Sequence, residues 1–250
     1  GRAYAEKACY SRAMRIISPE DYRKLFGQAL DDHDRAVALA PQDSQIHFER
    51  GKSNYDRAAY ADPGDAESRA CLGTALADFT LAVKRDRSNS EALEMRGLVN
   101  TALGDHDHAI DAFTGLMALD PRRGRLRLAD AYCRRGGSRT EAKAYEQAIG
   151  DYEKAVELGA SADACDCQPH SPLAGLYLET KQYDKSWEVV RKARLSGKWI
   201  MPETLQRLKT ESGRSELTPV GSRCSRRTRR RRRNRRCGRE RPGIVRSELP

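Results

Sequence analysis

The stretch that decides the fold is SEALEMRGLVNTALGDHDHAIDAFTGLMALDP, residues 90–121. Within it, Gly97 and Ala109 are small residues that lie on either side of a turn. Small side chains allow two antiparallel helices to approach each other closely, and Phe113 is placed to fill the space between this helix pair and the next. The spacing therefore predicts a helical hairpin.

The sequence also marks where the two helices of this hairpin end. Gly104 and Asp105 form a turn, because glycine readily ends one helix and aspartate readily begins another. Pro121 lacks a backbone N–H and cannot continue a helix interior, but it suits the first turn of a new helix. The hairpin is thus predicted to end at Pro121, where the next helix opens.

Patterns of the same kind recur along the chain. In second helices they are Ala29 with His33 and Ala36, Ala75 with Phe79 and Ala82, Ala109 with Phe113, Ala148 with Tyr152 and Ala155, and Ser186 with Val190 and Ala193. In first helices they are Gly51, Gly97, Ala129 with Tyr132, and Ala174 with Tyr177, and Gly1 with Tyr4 has the form of a truncated copy. The second-helix anchors are 46, 34, 39 and 38 residues apart. We assign the extra residues to longer helices or loops between the two helices of a pair.

These patterns resemble the tetratricopeptide repeat family. The family's spacing is matched by Leu93, Gly97, Ala109, Phe113 and Pro121. Residues 186–214 also resemble the end of some bacterial tetratricopeptide proteins, in which a short helix caps the last pair; here that helix would begin at Pro202. Sel1-like repeats, which have longer periods, are the alternative family, but the Ala-x3-aromatic-x2-Ala pattern ending in Asp-Pro favours the tetratricopeptide interpretation.

The resemblance implies an all-α fold, an α-α superhelical solenoid of about five helical hairpins with a C-terminal capping helix and a disordered tail. The hairpins are expected at roughly 1–41, 42–88, 89–121, 122–160 and 163–198, with the cap at 202–212. Together they form a repeat array over residues 1–212, and the tail covers residues 213–250. In this family the first helix of each pair lines a concave groove that holds peptides or partner helices.

The positive charge of the chain is concentrated in this tail. Residues 214–250 contain 14 Arg, no Lys and three Glu, a formal charge of +11 against +10 for the whole chain, so residues 1–213 carry −1. A block that includes nine Arg within residues 226–236 repels itself and is predicted to be disordered. Its candidate contacts to a polyanion are Arg229, Arg230, Arg231, Arg232, Arg233, Arg235 and Arg236. Such contacts to phosphates would be independent of sequence and strongly salt-sensitive; the other interpretation is a terminal extension without a role.

No catalytic signature is visible: the sequence has no Gly-rich phosphate loop, no His-Glu-x-x-His and no nucleophile elbow. We therefore expect a non-catalytic scaffold, without a cofactor, that binds another protein. On the family's register the groove residues are Phe48, Lys52, Tyr55, Glu91, Glu94, Leu98, Arg123, Leu126 and Asp130. Chaperone-binding members clamp a terminal carboxylate with Lys and Asn at set groove positions, whereas Glu91, Glu94 and Leu98 stand at such positions here. The resemblance thus favours a partner peptide with some basic character.

Two small clusters of metal-ligand residue types are interpreted as structural. Cys165, Cys167 and His170 lie in the segment CDCQPH, but zinc sites usually separate paired cysteines by two or more residues and no fourth ligand is evident. His106 and His108 fall in the predicted turn between two helices, where polar residues are common. No metal is therefore expected.

Two other functions compete with the scaffold. The first is a nucleic-acid-associated adaptor anchored through the Arg-rich tail, and the second is a regulatory fragment of a larger enzyme. No apolar run has the length of a transmembrane helix, and the seven scattered cysteines favour a reducing compartment, so the expected location is cytoplasmic. Because the chain does not begin with Met and Gly1 falls within a repeat, its start is interpreted as incomplete, which leaves export open.

Overall fold

The structure is a computed structural model that describes residues 19–60, 65–159 and 168–214. Within these ranges the chain forms ten α-helices: α1 (Pro19–Leu39), α2 (Ser44–Tyr60), α3 (Ala66–Arg85), α4 (Ser90–Ala102), α5 (His106–Leu119), α6 (Pro121–Glu141), α7 (Tyr145–Glu157), α8 (His170–Glu179), α9 (Tyr183–Leu195) and α10 (Pro202–Ser212). The predicted all-α solenoid is confirmed. The first predicted helix and the Arg-rich tail lie outside the described residues.

The helices pack as successive antiparallel pairs. α2 pairs with α3, α4 with α5, α6 with α7 and α8 with α9, and each pair also contacts the next one along the chain. α1 packs against α2, as the second helix of a preceding pair would. α10 closes the other end, where Leu208 is buried among residues of α8 and α9 such as Trp187 and Val190. None of the described helices combines the length and apolar character needed to span a bilayer.

Polar residues at the turns begin the helices. Each side-chain carboxylate or amide oxygen accepts a hydrogen bond from a backbone N–H in the first turn, which would otherwise have no partner. These caps are Asp65 to Ser68, Asn89 to Ala92, Asp105 to His108 and Asp120 to Arg123. Pro121 follows its cap at the first position of α6. These capping residues, which are close in sequence to the helices that they cap, therefore determine where the four helices begin.

An aromatic ring lies directly against a glycine in three of the pairs. A Cβ built on Gly51 would lie 2.8 Å from Cε1 of Phe79, and one built on Gly136 would lie 3.1 Å from the ring of Tyr152. The same Cβ on Gly97 would overlap the ring of Phe113. We call these the ring-on-glycine contacts. They bring the two helices of a pair close enough for the ring to be almost fully buried.

The contact at Gly136 corrects the sequence analysis in two respects. Gly136, and not Ala129, occupies the first-helix position in the fourth pair, because it precedes Tyr152 by sixteen residues, as Gly97 precedes Phe113. The extra residues of that repeat also do not lie between its two helices. They form two additional turns at the N-terminal end of α6, since the next helix follows α5 after Asp120 alone.

The lengthened α6 crosses α5 at Gly124. A Cβ on Gly124 would lie within 3.0 Å of both Cα and N of Met117, which are backbone atoms of α5. A side chain could rotate away from such an overlap, but backbone can move only if the helices separate. Gly124 therefore holds the second helix of one pair against the first helix of the next.

Replacing this glycine is expected to separate α5 from α6. Gly124→Ala should lower the free energy of unfolding by about 2–4 kcal/mol, because overpacking against backbone cannot relax locally. Gly150→Ala in α7 is the matched control, since nothing lies within 4 Å of its Cβ position. That control should raise stability by about 0.5–1 kcal/mol through helix propensity. Urea unfolding measures both, and equal stability of the two variants would contradict the assigned crossing.

The turn inside a pair needs one residue in the left-handed conformation. Gly104 takes it with φ 80°, and the residues seven positions after Gly136 and Ala174 take it too: Lys143 and Lys181, each with φ 59°. A side chain at such a φ costs about 1–2 kcal/mol, which glycine avoids.

Relieving this strain should stabilise the fourth pair. Lys143→Gly is expected to raise the free energy of unfolding by about 0.5–1 kcal/mol, because part of the gain is offset by the greater freedom of glycine in the unfolded chain. Lys143→Ala is the control, because it removes the same charge but keeps the strained backbone. Thermal melts measure the stability of both variants. Equal melting temperatures would mean that the backbone at Lys143 is not strained.

Candidate protein-interaction groove

The first helices line the inner side of the stack. α2 contacts α4 and α4 contacts α6, whereas within the described residues the second helices α3, α5 and α7 do not contact one another. Helices that touch their counterparts in the next pair are on the side of smaller radius. The groove of the solenoid is therefore formed by α2, α4 and α6.

The groove residues predicted from the sequence differ in how much of their surface is exposed to solvent. Phe48 and Glu94 are buried, Lys52, Tyr55, Leu98, Leu126 and Asp130 are half-buried, and Glu91 and Arg123 are exposed. Some of them contact each other: the ammonium of Lys52 lies 5.5 Å from the ring centre of Phe48, and Glu94 is paired with Arg123. The predicted polyanion contacts, Arg229 to Arg236, lie outside the described residues.

The pairing of Glu94 changes the charge expected of the groove. Its carboxylate, with a side chain only 9% exposed, accepts hydrogen bonds from Arg123 and, at 2.8 Å, from Nε of Arg127. Two guanidinium groups on α6 thus hold one carboxylate on α4. Glu94 has no free face for a basic partner, and its bonds connect the third pair to the fourth.

The register at Gly136 also changes which residues of α6 are equivalent to those of α4. Thr101 and Thr140, four residues after their glycines, each donate a hydrogen bond to the carbonyl of that glycine. By this register Asp130 is equivalent to Glu91, so Arg123 and Leu126 lie about 10 Å nearer the N-terminal end of α6 than the groove positions that the sequence suggested for them. They remain on the inner face, because seven residues are close to two full helical turns.

A buried carboxylate connects the first three described helices. Asp78 on α3, with a side chain 1% exposed, accepts from Nε and Nη2 of Arg50 on α2 at 2.9 and 2.7 Å. Arg50 also donates to Asp34 on α1 at 2.8 Å, and Nδ1 of His47 lies 3.3 Å from Asp78. The hydrogen bonds to Asp78 raise the pKa of the Arg50 guanidinium, so Arg50 keeps its positive charge.

The same arrangement is repeated in the fourth pair. Asp151 on α7 accepts from Arg135 at 2.7 and 3.0 Å and from Arg139 at 2.7 Å, and Arg135 also reaches Asp107 on α5. The sequence analysis missed both clusters. A signal was present, because Arg50 and Arg135 each directly precede a contact glycine, and Asp78 and Asp151 each directly precede the ring that covers it.

An open pocket of about 290 Å³ lies between α7, α8 and α9. Val156, Leu173 and Val189 supply its apolar lining. The hydroxyl of Tyr177 donates to Glu153, and burial together with this carboxylate raises the pKa of Tyr177. The ammonium of Lys185 lies 5.3 Å from the Tyr177 ring centre, so a cation of the chain already covers that ring.

The histidines are placed by contacts within the fold. His106 lies near Ser138, with Nε2 and Oγ 3.2 Å apart, and Nδ1 of His108 lies 2.7 Å from its cap Asp105. His170 is buried at the start of α8, and burial lowers its pKa, with a smaller effect of Lys198. Within the part of the chain that the structure describes, no three metal-ligand side chains converge; Cys165 and Cys167 are outside that part.

The two glutamates of α4 should differ sharply when neutralised. Glu94→Gln is expected to lower the free energy of unfolding by about 1–3 kcal/mol, because it leaves two guanidinium groups without their shared carboxylate. Glu91→Gln, three residues away and exposed, should change it by less than about 0.5 kcal/mol. Chemical denaturation of both variants tests this, and a similar small effect of the two would mean that the Glu94 ion pairs do not hold the repeats together.

No protein-family profile and no curated protein matches the sequence. Among solved structures, the chain is similar to the crystal structure of MamA, at 17% identity over 78% of this chain and 95% of that one, with a TM-score of 0.46. It is also similar to TTC0263, a thermophilic TPR protein of Thermus thermophilus, at 23% identity over 54% of this chain and 66% of that one, with a TM-score of 0.38. Human IFIT1, solved as a dimer with PPP-AAAA, is 19% identical over 84% of this chain and 48% of its own, with a TM-score of 0.49.

The motif in residues 90–121 and the ring-on-glycine contacts repeated along the stack identify the fold without reference to any of these structures. The helices form antiparallel pairs, and the first helices lie on the inner side of the stack. Three pairs also have a residue with left-handed backbone at the same position of the turn between their helices. The chain is a tetratricopeptide-like array of helical hairpins.

Proposed function

We propose that this chain is a protein-interaction scaffold whose groove, formed by α2, α4 and α6, holds a segment of another protein. The observation that carries the proposal is that four side chains predicted to line the groove are half-buried: Lys52, Tyr55, Leu98 and Leu126. Each has part of its surface packed and part open, so a partner can cover the rest without a rearrangement of the core. Mixed apolar and cationic side chains suit a peptide or a helix face.

The geometry of the groove supports this function further. The buried clusters around Asp78, Glu94 and Asp151 hold neighbouring helices in defined positions. A groove that is already formed loses little conformational freedom when a ligand binds, which favours affinity.

A matched pair of variants tests the groove. Lys52→Ser with Leu126→Ser should reduce capture of partner proteins from a lysate at least about tenfold, because both lie on the inner face. Lys84→Ser with Leu119→Ser removes the same two residue types from exposed positions on α3 and α5 and should leave capture unchanged. Quantitative mass spectrometry of the captured proteins, with circular dichroism to show equal folding, gives the comparison.

The same experiment separates the scaffold from the nucleic-acid adaptor. A third variant carries Gln at the seven tail arginines, Arg229 to Arg233, Arg235 and Arg236, and each capture is repeated after nuclease treatment. The scaffold predicts that the partners survive both changes. If the partners are lost in the tail variant or after nuclease treatment, but are retained by the groove variant, the result supports the nucleic-acid adaptor and contradicts the scaffold.

A further inference from the structure

We propose that the first two turns of α6 are the part of the groove that binds an acidic segment of the partner protein. This inference rests on the proposed function and specifies the chemistry of the partner. It reverses the basic partner expected from Glu91 and Glu94 in the sequence, because the structure shows which charges of the groove are already neutralised.

Four arginines lie within the first seven residues of α6: Arg122, Arg123, Arg125 and Arg127. Arg123 and Arg127 share the buried carboxylate of Glu94. Arg122 and Arg125 are exposed and, within the described residues, form no ion pair. Two guanidinium groups are therefore available to carboxylates from outside the chain.

The arrangement of these side chains fits a segment that is both acidic and apolar. At 100° per residue, Leu126 lies between the side of α6 that carries Arg123 and the side that carries Arg122. Leu126 is half-buried and on the inner face. An aliphatic side chain of the partner would cover Leu126 while neighbouring carboxylates reach the free guanidinium groups, which bind carboxylates through paired hydrogen bonds.

Arg122 and Arg125 do not stabilise the free protein as placed. The N-terminal end of a helix carries partial positive charge, so cationic side chains there are unfavourable. Asp120 caps the helix and Glu94 accepts bonds from Arg123 and Arg127, but Arg122 and Arg125 contact neither carboxylate. An acidic ligand supplies the missing negative charge, which makes the cluster favourable only in the complex.

An acidic protein segment fits better than a nucleic acid. The arginines span only about 7.5 Å along the helix axis, which matches a few carboxylates of a short segment. On either side the positive charge stops: Glu91 is exposed on α4, and Asp130 pairs with Arg134 at 2.8 Å further along α6. Single strands are bound instead by a continuous positive track with aromatic rings on which bases stack.

The test uses the full chain and a defined probe. The probe is a short amidated peptide in which four glutamates surround two leucines, with a benzophenone for photo-crosslinking; its counterpart replaces each glutamate by lysine. Crosslinked sites are mapped by mass spectrometry, so that contacts with α4 and α6 are counted separately from contacts with the Arg-rich tail. A single-stranded oligonucleotide carrying the same photo-reactive group is the third probe.

The variant Arg122→Gln with Arg125→Gln is expected to lower crosslinking of the acidic peptide at α4 and α6 at least about tenfold, since two charge-assisted contacts are lost. Its melting temperature should be equal to or above that of the parent. Arg69→Gln with Arg191→Gln is the control, because both arginines are exposed on second helices and the charge change is the same. This control should leave crosslinking unchanged.

Three outcomes would overturn the inference: an unchanged yield in the Arg122 and Arg125 variant, crosslinks of the acidic peptide confined to the tail, or stronger crosslinking at α6 by the lysine peptide or the oligonucleotide. The capture experiment with Lys52→Ser and Leu126→Ser separates the two levels of the proposal. If capture still depends on those residues while the acidic peptide fails, the scaffold stands and only the acidic partner is wrong. If both fail, the groove itself is not the binding surface.

Discussion

The structure depends on the close approach of an aromatic ring to a residue without a side chain. Where Phe113 covers Gly97, the ring fills the volume that any Cβ would occupy, and this contact sets the distance between the two helices of a pair. The same contact recurs at Gly51 and Gly136. Because each hairpin is thin, its remaining apolar surface must be covered by the next hairpin, and the chain becomes a linear stack.

Buried charge adds to apolar packing in orienting neighbouring helices. The chain has few large aliphatic residues, and alanines and glycines occupy much of the helix contacts. Buried carboxylates contribute what these small residues cannot: Asp78, Glu94 and Asp151 each contact two polar side chains on a neighbouring helix. Hydrogen bonds between a carboxylate and guanidinium groups are directional, whereas apolar contacts made by alanine are not. These clusters therefore connect helices that small side chains alone would leave free to rotate.

This use of charge within the fold also determines what is left for a partner. Glu94 is consumed by Arg123 and Arg127, so the acidic residue that the sequence offered to a basic ligand serves the stack. The first seven residues of α6 carry four guanidinium groups and no carboxylate. On our proposal the groove is therefore locally basic at the start of α6, whereas the sequence analysis expected a partner with some basic character.

The sequence by itself determined the helices, their order and their pairing, because caps, turn residues and small-residue spacing act within a few positions of the chain. It also predicted that the first helices line the inner side of the stack, as the contacts between α2, α4 and α6 show. Only the tertiary structure decided the register of α6, since Ala129 and Gly136 both satisfy a small-residue pattern and the choice depends on which one the Tyr152 ring covers. It alone decided the fate of Glu94 as well, because an ion pair between helices about thirty residues apart has no local signature.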